Sequence, residues 1–231
     1  DPTEGALEQG FVIPRSSELR SLLGKGDQTT CEYRTAHDVT LWPLELTEAQ
    51  YFAGKEPVAQ LDLPELSKVR AGIRLRLRTT LPGLAFNKLA LDRLPLFLHG
   101  GDALPARLHE QLLTNPVMVV ARPGRRPAPW HERLTGGFIQ RLGFEDRQAL
   151  LPCPPAAFQG YRLLHEYFAF PQRYLFVELG GLKPAVQRCA DQELELLILL
   201  SRADPALENA VAAANFALFC TPAINLFPKR A

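Results

Sequence analysis

The sequence lacks most of what marks a chemical site. Its four cysteines, Cys31, Cys153, Cys189 and Cys220, are far apart and form no C-x-x-C pair, which argues against a zinc site or a dithiol motif. Their apolar or strand-like neighbours suggest buried free thiols, as in a reducing compartment. His37, His99, His109, His131 and His165 stand singly, with no H-x-x-x-H or H-E-x-x-H spacing, so no metal is expected. The doublets Gly100-Gly101, Gly136-Gly137 and Gly180-Gly181 lack the later glycine or Lys-Ser/Thr of a phosphate loop. No apolar run approaches the roughly 18 residues of a membrane helix, and no charged-then-apolar leader opens the sequence. A surplus of one charge sign is missing too. With 26 basic and 25 acidic residues the net charge is +1, which gives no reason to expect nucleic acid or an anionic membrane as partner. Methionine occurs once, as Met118, and the chain opens on Asp1-Pro2, so an internal piece of a longer polypeptide is the expectation.

What is present is a strand-rich pattern with enough apolar content, 46% of 231 residues, to bury a core. Phe11-Val12-Ile13 and Leu19 to Leu23 are short strand candidates. Cys31 to Thr35 and Val39 to Leu46 alternate at period two and read as adjacent strands joined by a tight turn, with Pro43 requiring an edge or a bulge. Gly54 to Glu65 reads as loop. Ile73, Leu75 and Leu77 alternate with Arg74, Arg76 and Arg78, the pattern of a strand with one face in the core. An arginine row without interleaved aromatics reads as solvated or paired with carboxylates on the next strand rather than as a nucleic-acid surface. Leu89 to Gly100 predicts a strand or strand pair, Ala103 to Thr114 a helix capped by Asp102, and Val117 to Ala121 a strand. Near the end, Leu196 to Leu200 fits a fully buried strand or buried helix. Ala206 to Ala214 reads as a helix started by Asp204-Pro205, and Asn215 to Cys220 as a strand.

The aromatic weight gathers between Phe158 and Leu179. Tyr161, Leu164, His165 and Phe168 fall at helical spacing, so Gly160 to Ala169 predicts a short amphipathic helix whose apolar face, widened by Leu163 and Tyr167, enters the core. Pro171 stops it, and Tyr174 to Leu179 follows as a strand closed by Gly180-Gly181. The fold class expected is α+β, mainly antiparallel and sandwich- or barrel-like with a few short helices. The Pro-rich basic loop 122–129 divides a β-rich stretch, 1–121, from an α+β stretch, 130–231.

Gly160-Tyr161-Arg162-Leu163-Leu164-His165-Glu166-Tyr167-Phe168-Ala169-Phe170-Pro171 resembles the signature of the TssF (ImpG, VasA) family, baseplate subunits of the bacterial type VI secretion system. Three further blocks resemble it in the same order. The first is Ile13 to Ser16 with the Cys31-to-Leu44 pattern. The second is the strand, Gly-Asp turn, helix and strand around Asp102. The third is Cys220-Thr221-Pro222 through Asn225-Leu226-Phe227. Tyr33 stands where the family often has Phe, and His165 where it often has Gln. The resemblance implies the middle of a cytoplasmic wedge subunit of a baseplate docked at the inner membrane. Its implied partners are TssG, TssK, TssE, a second TssF copy and a VgrG hub, with membrane contact only through the assembly.

No enzymatic role, cofactor or small-molecule substrate is expected. His165-Glu166 and the carboxylates Glu166 and Glu178 come nearest to acid/base chemistry, but adjacent helical residues face different ways and no nucleophile is signalled beside them. The candidate site is a partner interface formed by Arg125, Arg126 and Trp130, because a tryptophan in so polar a loop has little core to enter and Trp and Arg dominate interface energetics. A carbohydrate-binding β-sandwich or sugar-active enzyme, suggested by strand richness with Trp42 and Trp130, is the alternative.

Overall fold

In the computed structural model, residues 7–22, 29–61, 63–135, 137–152 and 158–225 are described. Leu23, the Gly24 to Asp27 loop, Cys153 and the block after Asn225, for which the sequence raised expectations, lie outside them. The strands in chain order are β1 (Phe11–Ile13), β2 (Glu18–Arg20), β3 (Glu32–Thr35), β4 (Val39–Leu41), β5 (Leu44–Ala53), β6 (Ala71–Thr79) and β7 (Leu94–Leu98). They continue as β8 (Pro116–Pro123), β9 (Glu132–Arg133), β10 (Ile139–Arg141), β11 (Phe176–Leu179), β12 (Glu193–Leu200), β13 (Phe216–Ala217) and β14 (Ala223–Ile224). Among the described residues three α-helices join them: α1 (Leu104–Thr114), α2 (Gln159–Ala169) and α3 (Lys183–Arg188). Every strand pairing among the described residues is antiparallel, so the fold is α+β as expected.

A five-stranded sheet of order β5-β6-β12-β8-β9 carries the structure. Leu196 to Leu200 lies in its central strand, β12, and the continuous apolar run is explained because both faces of that strand are covered. On one face, Ile73, Leu75 and Leu77 of β6 join Leu194, Leu196 and Ile198 of β12 in the main core. That core also takes Leu94, Leu96 and Leu98 of β7, Val177 and Leu179 of β11, and Leu108 and Leu112 of α1. The opposite face is split. Its apolar half, Met118, Val120, Leu197 and Leu199, is covered by Val58, Leu63 and Val69 from the segment between β5 and β6. Its polar half holds the arginine row, paired with carboxylates as the alternation suggested: Arg74 with Glu48 at 2.5 Å, Arg78 with Glu45 at 2.7 Å, and Arg76 with Glu48 and Glu195. The pairs to Glu45 and Glu48, which keep solvent access, contribute about 0–1 kcal/mol each.

A four-stranded sheet, β10-β11-β7-β13, closes the other side of the core. Both sheets therefore draw strands from either side of 122–129, and one core spans the chain where the sequence suggested a boundary. Other expectations change for local reasons. The run Val39 to Leu46 is two strands, because the chain turns at Trp42-Pro43, where Leu44 N–H donates to the Trp42 carbonyl at 2.8 Å, and passes from one sheet to another. Pro43 thus lies in the turn and in neither strand, so the bulge expected at it is not needed; β5 runs at a sheet edge, with its bulge further on, between Leu46 and Glu48. β3 and β4 do not form a hairpin. Their connection is buried and tied to the C-terminal segment, with Ala36 N–H on the Pro222 carbonyl at 2.9 Å and His37 N–H on Thr221 Oγ1 at 3.0 Å. Asp102 does not cap α1: it adopts a left-handed φ of 49°, and Ala103 is the N-cap. Residues 206–214 give only 3-10 turns, because Asn209 turns left-handed at φ 60°. Phe219, at φ 59°, likewise lies beyond the short β13. Only Leu94–Leu98 of the Leu89 to Gly100 run is strand.

Candidate functional site

Segment 122–130 spans the end of β8 and the tip of the β8–β9 hairpin, and buried charge folds it back onto the sheet. Glu195, on central strand β12, is fully buried. It accepts from Arg122 Nε at 2.8 Å and from Arg126 at 2.8 and 2.6 Å, with Arg76 at 3.3 Å. Burial would raise the Glu195 carboxyl, but the Arg122 and Arg126 guanidiniums outweigh it and hold the group below its ordinary value. Arg126 also donates to the carbonyls of Pro123, Gly124 and Arg125. Of the three residues expected at a partner surface, Arg126 is thus tied to the buried Glu195 while its side chain stays 43% exposed. Trp130 is half-buried against the main core, with the Arg188 guanidinium 5.1 Å over its ring, so the expectation that it has little core to enter is corrected. Arg125 keeps its head mostly in water and pairs with Asp191 at 3.1 Å. Trp42 also packs against the core, so the two tryptophans are not presented together as a stacking platform for a sugar.

The larger departure is α2. Its bounds follow the spacing, but its orientation is reversed: the buried positions are Arg162 and Glu166, while Tyr161, Leu164, His165, Tyr167 and Phe168 face out. The inward stripe is a clasp. Glu166 pairs with Arg173, itself fully buried, and Glu166 Oε1 accepts the backbone N–H groups of Leu150 and Leu151 at 3.1 and 2.9 Å. Arg162 pairs with Asp146 at 2.9 Å, and Arg173 donates to the Gln148 carbonyl at 2.7 Å. The 146–151 segment is thereby bound to α2 by charge. A sign of this was in the sequence: Arg162 and Glu166 form an i,i+4 pair opposite the aromatic stripe. Beside the helix, His109, Phe144, Leu163, Leu164, Tyr167 and Tyr174 line an apolar groove of about 520 Å³.

Acid/base chemistry gains no support. His165 points outward while Glu166 is clasped by Arg173, and Glu178 pairs with Arg93 at 3.1 Å. A cavity of about 300 Å³ between the sheets is lined by Arg15, His37, Asp38, Gln148, Phe176 and Cys220. Burial, then Arg173, lowers the His37 imidazole to about 4, and burial pushes the Cys220 thiol up, the reverse of what a thiolate nucleophile needs. Cys189 is buried and pushed up to about 11, and Cys220 is half-buried, but Cys31 is exposed, against expectation. Among the described residues no cluster of three His, Cys, Asp or Glu side chains could hold a metal, and no helix is long and apolar enough to cross a membrane.

Comparison with known proteins brings these surfaces into context. The sequence profile of the family described as "Type VI secretion system, TssF" matches residues 1–231. A curated relative from Pseudomonas aeruginosa, named type VI secretion system component TssF1, is 52% identical over 230 residues. That alignment takes in all of this chain but 37% of the relative, so the chain spans little more than a third of the relative's length. Among solved structures, a chain in the cryo-electron microscopy structure of the TssK-TssF-TssG baseplate subcomplex of the type VI secretion system is similar at a TM-score of 0.75 and 25% identity. The match covers 96% of this chain and 39% of that one.

Proposed function

The chain belongs to the TssF family of type VI secretion system components, and from that premise we propose that it is a structural module of the secretion baseplate, acting through protein contact and not through catalysis. The observation that carries the reading is the match of nearly the whole chain to a module seen within a TssK-TssF-TssG subcomplex. Contact of the full-length protein with TssG and TssK follows from that reading, as does a cytoplasmic place at a baseplate docked on the inner membrane. TssE, a second TssF copy and a VgrG hub are further partners consistent with the family resemblance. The architecture supports the role, since loop 122–130 presents the exposed arginine Arg125 as a protein-contact group.

Within this reading the loop contributes Arg125 as its freest contact, with Arg126 and Trp130 behind it as support. Arg125→Glu in the full-length protein tests this by co-purification with TssG and TssK. The substitution removes one exposed ion pair, so stability should hold within about 0.5 kcal/mol while recovery of the complex falls. An unchanged yield of complex would remove the loop from the interface. Trp130→Ala is the less clean test, because its half-buried ring on the core should lower the melting temperature whether or not a partner touches it.

A further inference from the structure

The outward face of α2 is too apolar to be left in water. Six of the eleven exposed large apolar side chains lie between 158 and 170, with Tyr161 73% and Phe168 80% exposed. Every Arg and Glu between 158 and 173 is buried in the clasp beneath the helix, which leaves the outer face without a carboxylate or guanidinium. Surfaces of transient contacts are mixed, with a polar rim, whereas a charge-depleted aromatic face resembles a domain core cut in half, the mark of a permanent contact. The groove beside it, walled by Leu164 and Tyr167 with Tyr174 below, is of a size for apolar anchors projecting from a packed helix or strand.

We propose that this face and groove are covered by another part of the same full-length polypeptide, outside residues 1–231, packing apolar side chains onto Tyr161, Leu164, Tyr167 and Phe168. Two considerations select that occupant over another subunit. The curated relative carries nearly two thirds of its length outside the region that this chain matches, so polypeptide is available to do it. A subunit must also survive before it meets its partners, and an uncovered aromatic patch of this kind promotes association with the wrong surfaces. A covalently connected segment is present at an effective concentration in the millimolar range, so its coverage depends neither on assembly nor on protein concentration. The inference rests on family membership and not on the proposed contact at Arg125.

Hydroxyl-radical footprinting of the full-length protein tests it, with Tyr161, Tyr167 and Phe168 read in the protein alone, on dilution, and with TssG and TssK added. Coverage by the same chain predicts oxidation at least about tenfold slower than for an exposed aromatic, since the uncovered form is then a minor state, and this protection should be the same in all three conditions. Free oxidation in the protein alone overturns the proposal. Protection that appears only with TssG and TssK assigns the face to a subunit contact, and protection lost on dilution assigns it to a second copy; either result also overturns it. Leu164→Arg gives a second reading: it should lower the melting temperature of the full-length protein before any partner is present, and an unchanged melting temperature counts against the proposal. Recovery of the TssG and TssK complex is scored separately, so the baseplate reading can stand while this one fails.

Discussion

At the residue scale, burial decides what each charged group does. His37 has an ordinary imidazole sequence context, yet it is 8% exposed and packs edge-on to Phe176 with ring centroids 5.6 Å apart. Burial, then Arg173 and Arg15, lower it to about 4, against a partial opposing effect of the Gln148 backbone and Asp38. The folded state therefore resists a proton that the unfolded chain accepts near 6.5, and the unfolded state binds more protons between those two values. Stability should fall as pH drops from about 6.5 towards 4 and gain no further loss from His37 below that, for a total of about 3 kcal/mol. Glu195 has the opposite charge and acts lower: its depressed carboxyl stabilises the fold above the ordinary carboxylate range, and that contribution is lost as pH falls through its folded value. Urea denaturation at pH 7 and pH 4.5 separates the two. His37→Gln should flatten the loss over that interval by roughly 2 kcal/mol relative to the unsubstituted protein, and parallel slopes would show that His37 is not the titrating group.

At the element scale, α2 shows what periodicity reveals and what it cannot. The positions of β6, β8, β12 and α1 were legible because their apolar residues meet partners within the chain: Ile73, Leu75 and Leu77 are buried where the alternation put them. The same rule gave α2 its bounds and the wrong orientation. A hydrophobic stripe states that one face wants cover, not that the cover lies in this sequence. Arg162 and Glu166 took the inward side because Arg173, Asp146 and the backbone of Leu150 and Leu151 satisfy them there. Loop 122–130 misled similarly, since nothing in the loop's own sequence shows the buried Glu195 of β12 that Arg122 and Arg126 close over. If charge anchors α2, then Glu166→Gln, which leaves buried Arg173 without its counter-ion, should cost about 3–5 kcal/mol. A shift in urea midpoint well below that range would mean that the helix is held chiefly by whatever covers its aromatic face.

At the scale of the whole molecule, the question is whether the Pro-rich loop separates folding units. Pro123, Pro127 and Pro129 with Gly124 give 122–129 the composition of a linker, and composition is all that sequence offers there. The sheets answer differently. β12, from beyond the loop, sits between β6 and β8 from before it, pairing with β6 over eight residues and with β8 over seven. β11 likewise pairs with β7, and Leu94, Leu96 and Leu98 share one core with Val177, Leu179 and Leu196. Residues 1–121 alone would leave β6 and β8 without the strand between them and expose Ile73, Leu75, Leu77, Val119 and Ala121, each worth up to roughly 1.5–3 kcal/mol when buried. Against a total stability of about 5–15 kcal/mol for a domain, that loss is decisive. A fragment of residues 1–121 should therefore show no cooperative thermal transition by circular dichroism, and residues 1–231 should unfold in one transition by near- and far-ultraviolet signals alike. A cooperative melt of the shorter fragment would restore the loop as a true boundary and require β6 and β8 to find other partners.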